Sequence, residues 1–175
     1  MRRRRERMKS ARTILLLAVV LVVVLFAVEW PWPMHFASGL PAGADAPRDA
    51  WKLWWNAQNV LDKRPLPAHN ASAFYPCAGA LDYDDSLYLP GLVAVPIYSA
   101  VVDPVLTYNL TLLIFWLISA LAMYLFLREL GIGRAGTLVG ALAFTLMPYR
   151  TARLGHLGAQ LCFGVPLGLM LLTRW

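Results

Sequence analysis

The 175 residues carry 59% hydrophobic and 15% charged side chains with a positive mean hydropathy, a balance that excludes a water-soluble domain with one core. The formal charge of +6 does not describe a basic fold, because Arg2, Arg3, Arg4, Arg5, Arg7, Lys9 and Arg12 stand against Glu6 alone at the N-terminus and the remaining charges cancel. Without basic and aromatic residues interleaved along the chain, nucleic-acid binding is excluded, and two cysteines, Cys77 and Cys162, suggest neither a disulfide framework nor a thiolate metal site.

In chain order, residues 1–12 form a basic arm of the kind retained in the cytoplasm beside anionic headgroups. The apolar run 13–28 follows as a first transmembrane helix, slightly short of the ~20 residues a bilayer needs, with Glu29 and Trp30 at the far headgroups. A cleaved secretory signal fits the same arm and run, but Pro31, Trp32 and Pro33 make a poor cleavage region, which favours an uncleaved anchor.

Residues 29–104 read as a long outer loop. Within it, Pro47 to Leu61 predicts a helix with Trp51, Trp54, Trp55 and Gln58 on one face and Lys52, Asn56, Asn59 and Lys63 on another. A tryptophan face suits headgroup depth, or packing against a neighbour. The run Leu87 to Val102 holds Pro90 and Pro96 and ends at Asp103 and Pro104, which makes it short and broken for a span. If it stays on the surface, Arg128, Arg134 and Arg174 become cytoplasmic; if it spans, they face outward. The positive-inside bias prefers the first arrangement.

Residues 105–175 then supply three further transmembrane helices: Val105 to Leu127, Ala135 to Met147 and Leu154 to Leu172. The expected fold class is all-α, a polytopic set of transmembrane helices with an outer loop bearing interfacial helices, truncated at its C-terminus.

Three groups of residues can carry chemistry. Asp45 and Asp49 are four apart, hence on one helix face, and offer a general base near the membrane; spacing alone favours Asp45 as the N-cap before Pro47, with Asp49 at the positive helix end. Arg150, Arg153 and His156 gather between two apolar runs, where paired guanidinium donors suit phosphate and snorkelling anchors suit the headgroups. Asp82, Asp84 and Asp85 are oxygen ligands for a hard divalent cation, or simply solvated loop acids. The sequons at Asn70 and Asn109 are weak signals. No glycine-rich phosphate loop, zinc spacing or nucleophile elbow is present.

The order of these elements resembles the N-terminal part of the GT-C glycosyltransferase superfamily, and within it uncharacterised bacterial membrane members. The likeness runs from about Ala44 to the end: an aspartate before Trp51, Lys52, Leu53, Trp54, Trp55 and Asn56; Phe74, Tyr75 and Pro76; Tyr108, Asn109 and Leu110 opening a span closed by Met123, Tyr124 and Leu125; then Pro148, Tyr149, Arg150, and Gly155, His156, Leu157.

The resemblance implies a multi-pass protein of the plasma (inner) membrane, N-terminus cytoplasmic, that moves a sugar from a polyprenyl-phosphate carrier to an acceptor on the outer face. Asp45, with Asp49 second, takes the role of acceptor-activating base, and Arg150, Arg153 and His156 bind phosphate. The family's further spans and C-terminal outer domain have no counterpart in these residues. The alternative is a non-catalytic polytopic protein that scaffolds partners or binds lipid carriers. A transporter is disfavoured, since no span between Val105 and Leu172 has an ionisable residue at its middle.

Overall fold

A computed structural model describes residues 2–64, 70–73 and 76–175, with side chains from Arg12 onward. The side chains of the basic arm up to Ala11, and Phe74 and Tyr75 of the resemblance, lie outside the described residues. The described residues are helical and contain no strand, in agreement with an all-α class. The α-helices are α1 (Arg2–Val28), α2 (Ala46–Leu61), α3 (Tyr88–Val101), α4 (Pro104–Glu129), α5 (Arg134–Thr145), α6 (Pro148–Ala152) and α7 (Gly164–Thr173). Single 3-10 turns cover Trp32–His35, Ala80–Tyr83 and Leu157–Gln160.

These elements divide into two compact units. One comprises Met1–Pro33, Ile114–Arg153 and Ala159–Trp175; the other comprises Met34–Leu113 and Leu154–Gly158.

Helix α4 is long and apolar enough to cross a membrane. Asp103 accepts the Leu106 N–H at 2.6 Å ahead of Pro104 at the first helical position, the expected cap-and-proline start. At the other end Gly131 adopts φ 76°, and the N–H groups of Ile132 and Gly131 donate to the carbonyls of Leu127 and Arg128, both at 3.1 Å. This is a Schellman closure, in which a left-handed glycine satisfies the last carbonyls.

The other expected spans differ in length from α4. Helix α5 has 12 residues, or about 18 Å of rise. It stops at Met147, which is extended (ψ 144°) because Pro148 follows. The run Leu154 to Leu172 is not one helix: a 3-10 turn covers Leu157–Gln160, and α7 begins only at Gly164. Pro166 sits in the first turn of α7, where its missing N–H costs nothing, whereas a helix running through it would lose a bond and clash. The run at 87–102, expected to be broken, is a continuous 14-residue helix with Pro96 inside it. Its rise of about 21 Å is still short of a ~30 Å hydrocarbon core.

In the unit containing Met34–Leu113, α2 packs on α3. Helix α3 offers Pro90, Gly91 and Ala94 as its buried face. A Cβ on Gly91 would lie 2.6 Å from the Asn56 Cβ, so only glycine permits this approach. Asn56 donates to the Ser86 carbonyl at 2.8 Å, and the Trp54 indole donates to the Tyr98 hydroxyl at 3.0 Å. Asn109 ties α4 to the preceding loop by donating to the carbonyls of Phe36 (2.7 Å) and Gly39 (2.8 Å). Its sequon amide is therefore buried and consumed by the fold.

Helix α2 matches the expected segment, but its polar face is the one turned inward. Asp49, Lys52, Asn56 and Asn59 are buried, while Trp51, Trp54 and Trp55 are half-buried and contact one another. A helix facing water shows the opposite pattern. Gly91→Val is expected to destabilise the protein by about 1–3 kcal/mol through overpacking against Asn56, read as a lower unfolding midpoint in detergent; an unchanged midpoint would mean that α2 and α3 do not pack this closely.

Candidate functional site

The expected base, Asp45, stands at the N-cap position of α2 but caps nothing with its side chain. Its backbone is already helical (ψ −26°), so the carboxylate does not turn back onto the first N–H groups. One oxygen accepts from Arg48 Nη2 at 2.7 Å, and the other lies 3.1 Å from His156 Nδ1. The cap reading is thus replaced by an ion pair and a carboxylate–histidine contact.

Asp49 is one turn further along the same face, with its side chain only 2% exposed. Its Oδ2 accepts the Leu157 N–H at 2.9 Å, and Lys52 Nζ lies 3.7 Å from Oδ1. Burial pushes the Asp49 pKa up, against the lowering effects of the Leu157 N–H, Lys52, His156 and Arg48. Both aspartates therefore face the segment Leu154–Gly158, as spacing on one helix face predicts.

The acids of the loop complete the cluster individually. Asp84 accepts from Lys52 Nζ at 2.6 Å and pairs with Arg48 Nε at 3.2 Å. Partial burial raises the Asp84 pKa, but the Lys52 hydrogen bond, the Asp85 N–H and the two cations prevail and hold it below the ordinary value. Asp85 Oδ2 is 4.0 Å from His156 Nε2. Among the described residues, no group of three or more histidine, cysteine, aspartate or glutamate side chains is arranged to hold a metal ion. The expected cation ligands do not fit that role: Asp84 is committed to Lys52 and Arg48, and Asp85 faces a histidine.

The expected phosphate-binding trio is dispersed. Arg150 has 0% exposure. Its guanidinium donates to the Gln160 side-chain oxygen (3.2 Å) and carbonyl (3.0 Å), to the Thr145 carbonyl (3.3 Å) and to Ser119 Oγ (3.4 Å), and lies 4.6 Å above the Trp116 ring. Burial pushes its pKa down. With four hydrogen bonds to protein groups and no accessible surface, Arg150 organises the α5–α6 corner. Arg153 is exposed, 5.7 Å from the Tyr149 ring centroid. His156 belongs with Asp45.

Sequence reasoning passed over Arg48, Lys52 and Asp85 as partners of this site. Lys52 is legible in principle, three residues after Asp49 on the same helix, whereas Asp84 and Asp85 read from sequence as cation ligands or solvated acids. Nothing local predicts Gln160 and Ser119 around Arg150. Comparison with family models, curated proteins and solved structures finds no match to the chain.

A raised carboxyl pKa means that the folded state holds this proton more tightly than the unfolded chain. Asp49 therefore stabilises the fold most below the ordinary carboxyl pKa of about 4, and that contribution is lost as pH rises through the raised value. Unfolding midpoints measured across this acidic window are expected to decline less steeply for Asp49→Asn, which keeps an oxygen for Leu157. An identical slope in both proteins would remove Asp49 from the titration.

Proposed function

We propose that the protein is a multi-pass inner-membrane protein, N-terminus cytoplasmic, acting in transfer of a sugar from a polyprenyl-phosphate donor to an acceptor on the outer face. The observation that carries this reading is the half-exposed carboxylate–histidine pair of Asp45 and His156, set among Arg48, Lys52, Asp84 and Asp85 on the segments expected to lie outside. A proton acceptor beside cations is what attack of a hydroxyl on a phosphate-linked sugar needs. The resemblance to GT-C glycosyltransferases supplies the substrate class. Of the expected phosphate-binding residues, Arg153 is exposed and stays a candidate by sequence, whereas Arg150 is enclosed.

The membrane placement draws on the first unit. Its outward residues include Leu15, Leu16, Val19 and Val23 of α1, Val139 of α5, and Val165, Leu171 and Leu172 of α7. Exposing such a surface to water costs about 25 cal/mol per Å², a cost that lipid removes. Within this unit, Ile14 shares an apolar groove with Leu121, and Val22 and Val23 share one with Leu117. Arg128 lies in the last turn of α4. Arg174 pairs there with Glu129 at 2.8 Å, and Arg134 opens α5 just after the turn. We read Arg128, Arg134 and Arg174, with the N-terminal arm, as the cytoplasmic end that the positive-inside rule favours, and Arg150 and Arg153 then lie outside.

The second reading is a carrier-binding protein without chemistry. The first groove favours it: about 180 Å³ between Ile14, Leu17 and Ala18 of α1 and Leu117, Ile118 and Leu121 of α4, with an almost wholly apolar lining that suits an acyl or isoprenoid chain.

For topology, a membrane-impermeant maleimide applied to intact spheroplasts is expected to label exposed Cys77 in a Cys162→Ser background, and an Arg5→Cys probe only after lysis. Reversed labelling would overturn the orientation. For activity, protein reconstituted with labelled undecaprenyl-phosphate hexoses is expected to release polyprenyl phosphate and glycosylate acceptor. Asp45→Asn should lower turnover about 100-fold or more with membrane insertion unchanged. Saturable binding of the donor without transfer would favour the carrier-binding reading.

A further inference from the structure

The atoms of Asp45 are all engaged. Oδ1 is held by Arg48 at 2.7 Å and Oδ2 faces His156 Nδ1 at 3.1 Å. A carboxylate oxygen can only accept, so the imidazole nitrogen facing it carries the proton, and the lone pair of the neutral ring falls on Nε2. His156 is partly exposed, at 27%. Its Nε2 has Asp85 Oδ2 at 4.0 Å, near enough to stabilise a positive ring and too far for a hydrogen bond.

The backbone around the ring is built to keep this geometry. A Cβ on Gly155 would lie 2.7 Å from the Ala42 carbonyl oxygen and 3.2 Å from the Gly43 Cα, and Gly43 itself has φ 142°. Two glycines thereby press the approach to Asp45 against the residue before His156. On the other side, the Leu157 N–H is fixed by buried Asp49 at 2.9 Å. At Gly158 a Cβ would sit 3.5 Å from Nε2 and 2.6 Å from Asp85 Oδ2, so glycine leaves the space beside Nε2 open. The groups facing the ring are Asp45, Arg48 and Asp49 from the start of α2, and Asp85 from the loop before α3.

We propose that His156 Nε2, not the Asp45 carboxylate, takes the acceptor proton, with Asp45 as a positioning residue that sets the tautomer and aim of the ring. This rests on the transferase reading above. In the step, the acceptor hydroxyl oxygen bonds to the anomeric carbon and its proton passes to Nε2. The bond from that carbon to the phosphate oxygen breaks, and its electron pair leaves with polyprenyl phosphate. The imidazolium then returns its proton to water. Carboxylate–histidine pairs of this form activate nucleophiles on unrelated folds.

The test uses the full chain in lipid nanodiscs. The protein has three histidines, so His35→Gln with His69→Gln leaves His156 as the single reporter for nitrogen NMR of the ring. In the neutral ring the proton is expected on Nδ1, and Asp45→Ala is expected to move it to Nε2. A wild-type ring protonated on Nε2 overturns the proposal without any assay of turnover. In the transfer assay, His156→Gln is expected to lose about 100- to 10,000-fold in turnover, and adding Asp45→Asn should cost little more, because the pair acts as a unit. Near-normal transfer by His156→Gln, with Asp45→Asn inactive, returns the base role to Asp45 and sinks the proposal. A wild type that transfers sugar from none of the donors defeats the transferase reading itself, an outcome told apart by the lack of any wild-type rate to lose.

Discussion

The hydrogen bond from the Leu157 N–H to buried Asp49 joins two parts of the chain 108 residues apart, and the candidate site depends on it. That anchor, with the close approach of Gly155 to Ala42 and Gly43 and the burial of Leu154 and Leu157, sets His156 beside Asp45. A carboxylate with 2% exposure is costly to bury unless it is paired and hydrogen-bonded, and removing one member of such a group strands the other at about 3–5 kcal/mol. The neighbouring Lys52, shared between Asp49 and Asp84, extends the same constraint to the loop before α3.

Helix α2 is consequently inverted relative to a helix in water. Its charged and amide side chains are spent inside the unit, and its indoles are left half-exposed, where rings that are apolar with one polar edge are at home at headgroup depth. In the proposed membrane setting, lipid headgroups would take the place of water on the tryptophan side.

The other unit buries charge by a different device. Arg150 has no carboxylate in its cage; carbonyls, an amide, a hydroxyl and the face of Trp116 surround it instead. A planar guanidinium with five donors can be satisfied this way, and a lysine cannot. An arginine between two apolar runs can therefore be a structural centre as readily as a ligand-binding one, and burial, not residue type, tells the two apart.

Several features were determined by the sequence itself, through local effects. The apolar runs and the proline and glycine punctuation located α2, α4 and α5 to within a few residues, and the end of α1 but not its start, because helix periodicity, Pro104, Gly131 and Pro148 act over a single turn. The pairing of Asp45 and Asp49 on one face followed from their spacing. Tertiary structure alone decided what those faces meet. It turned the polar side of α2 inward, withdrew Arg150 from solvent and brought His156 to Asp45. These outcomes depend on contacts between segments tens to more than a hundred residues apart, such as Asn109 with Phe36 and Gly39 and Asp49 with Leu157. No window along the chain contains both partners, so neither composition nor spacing could have shown them.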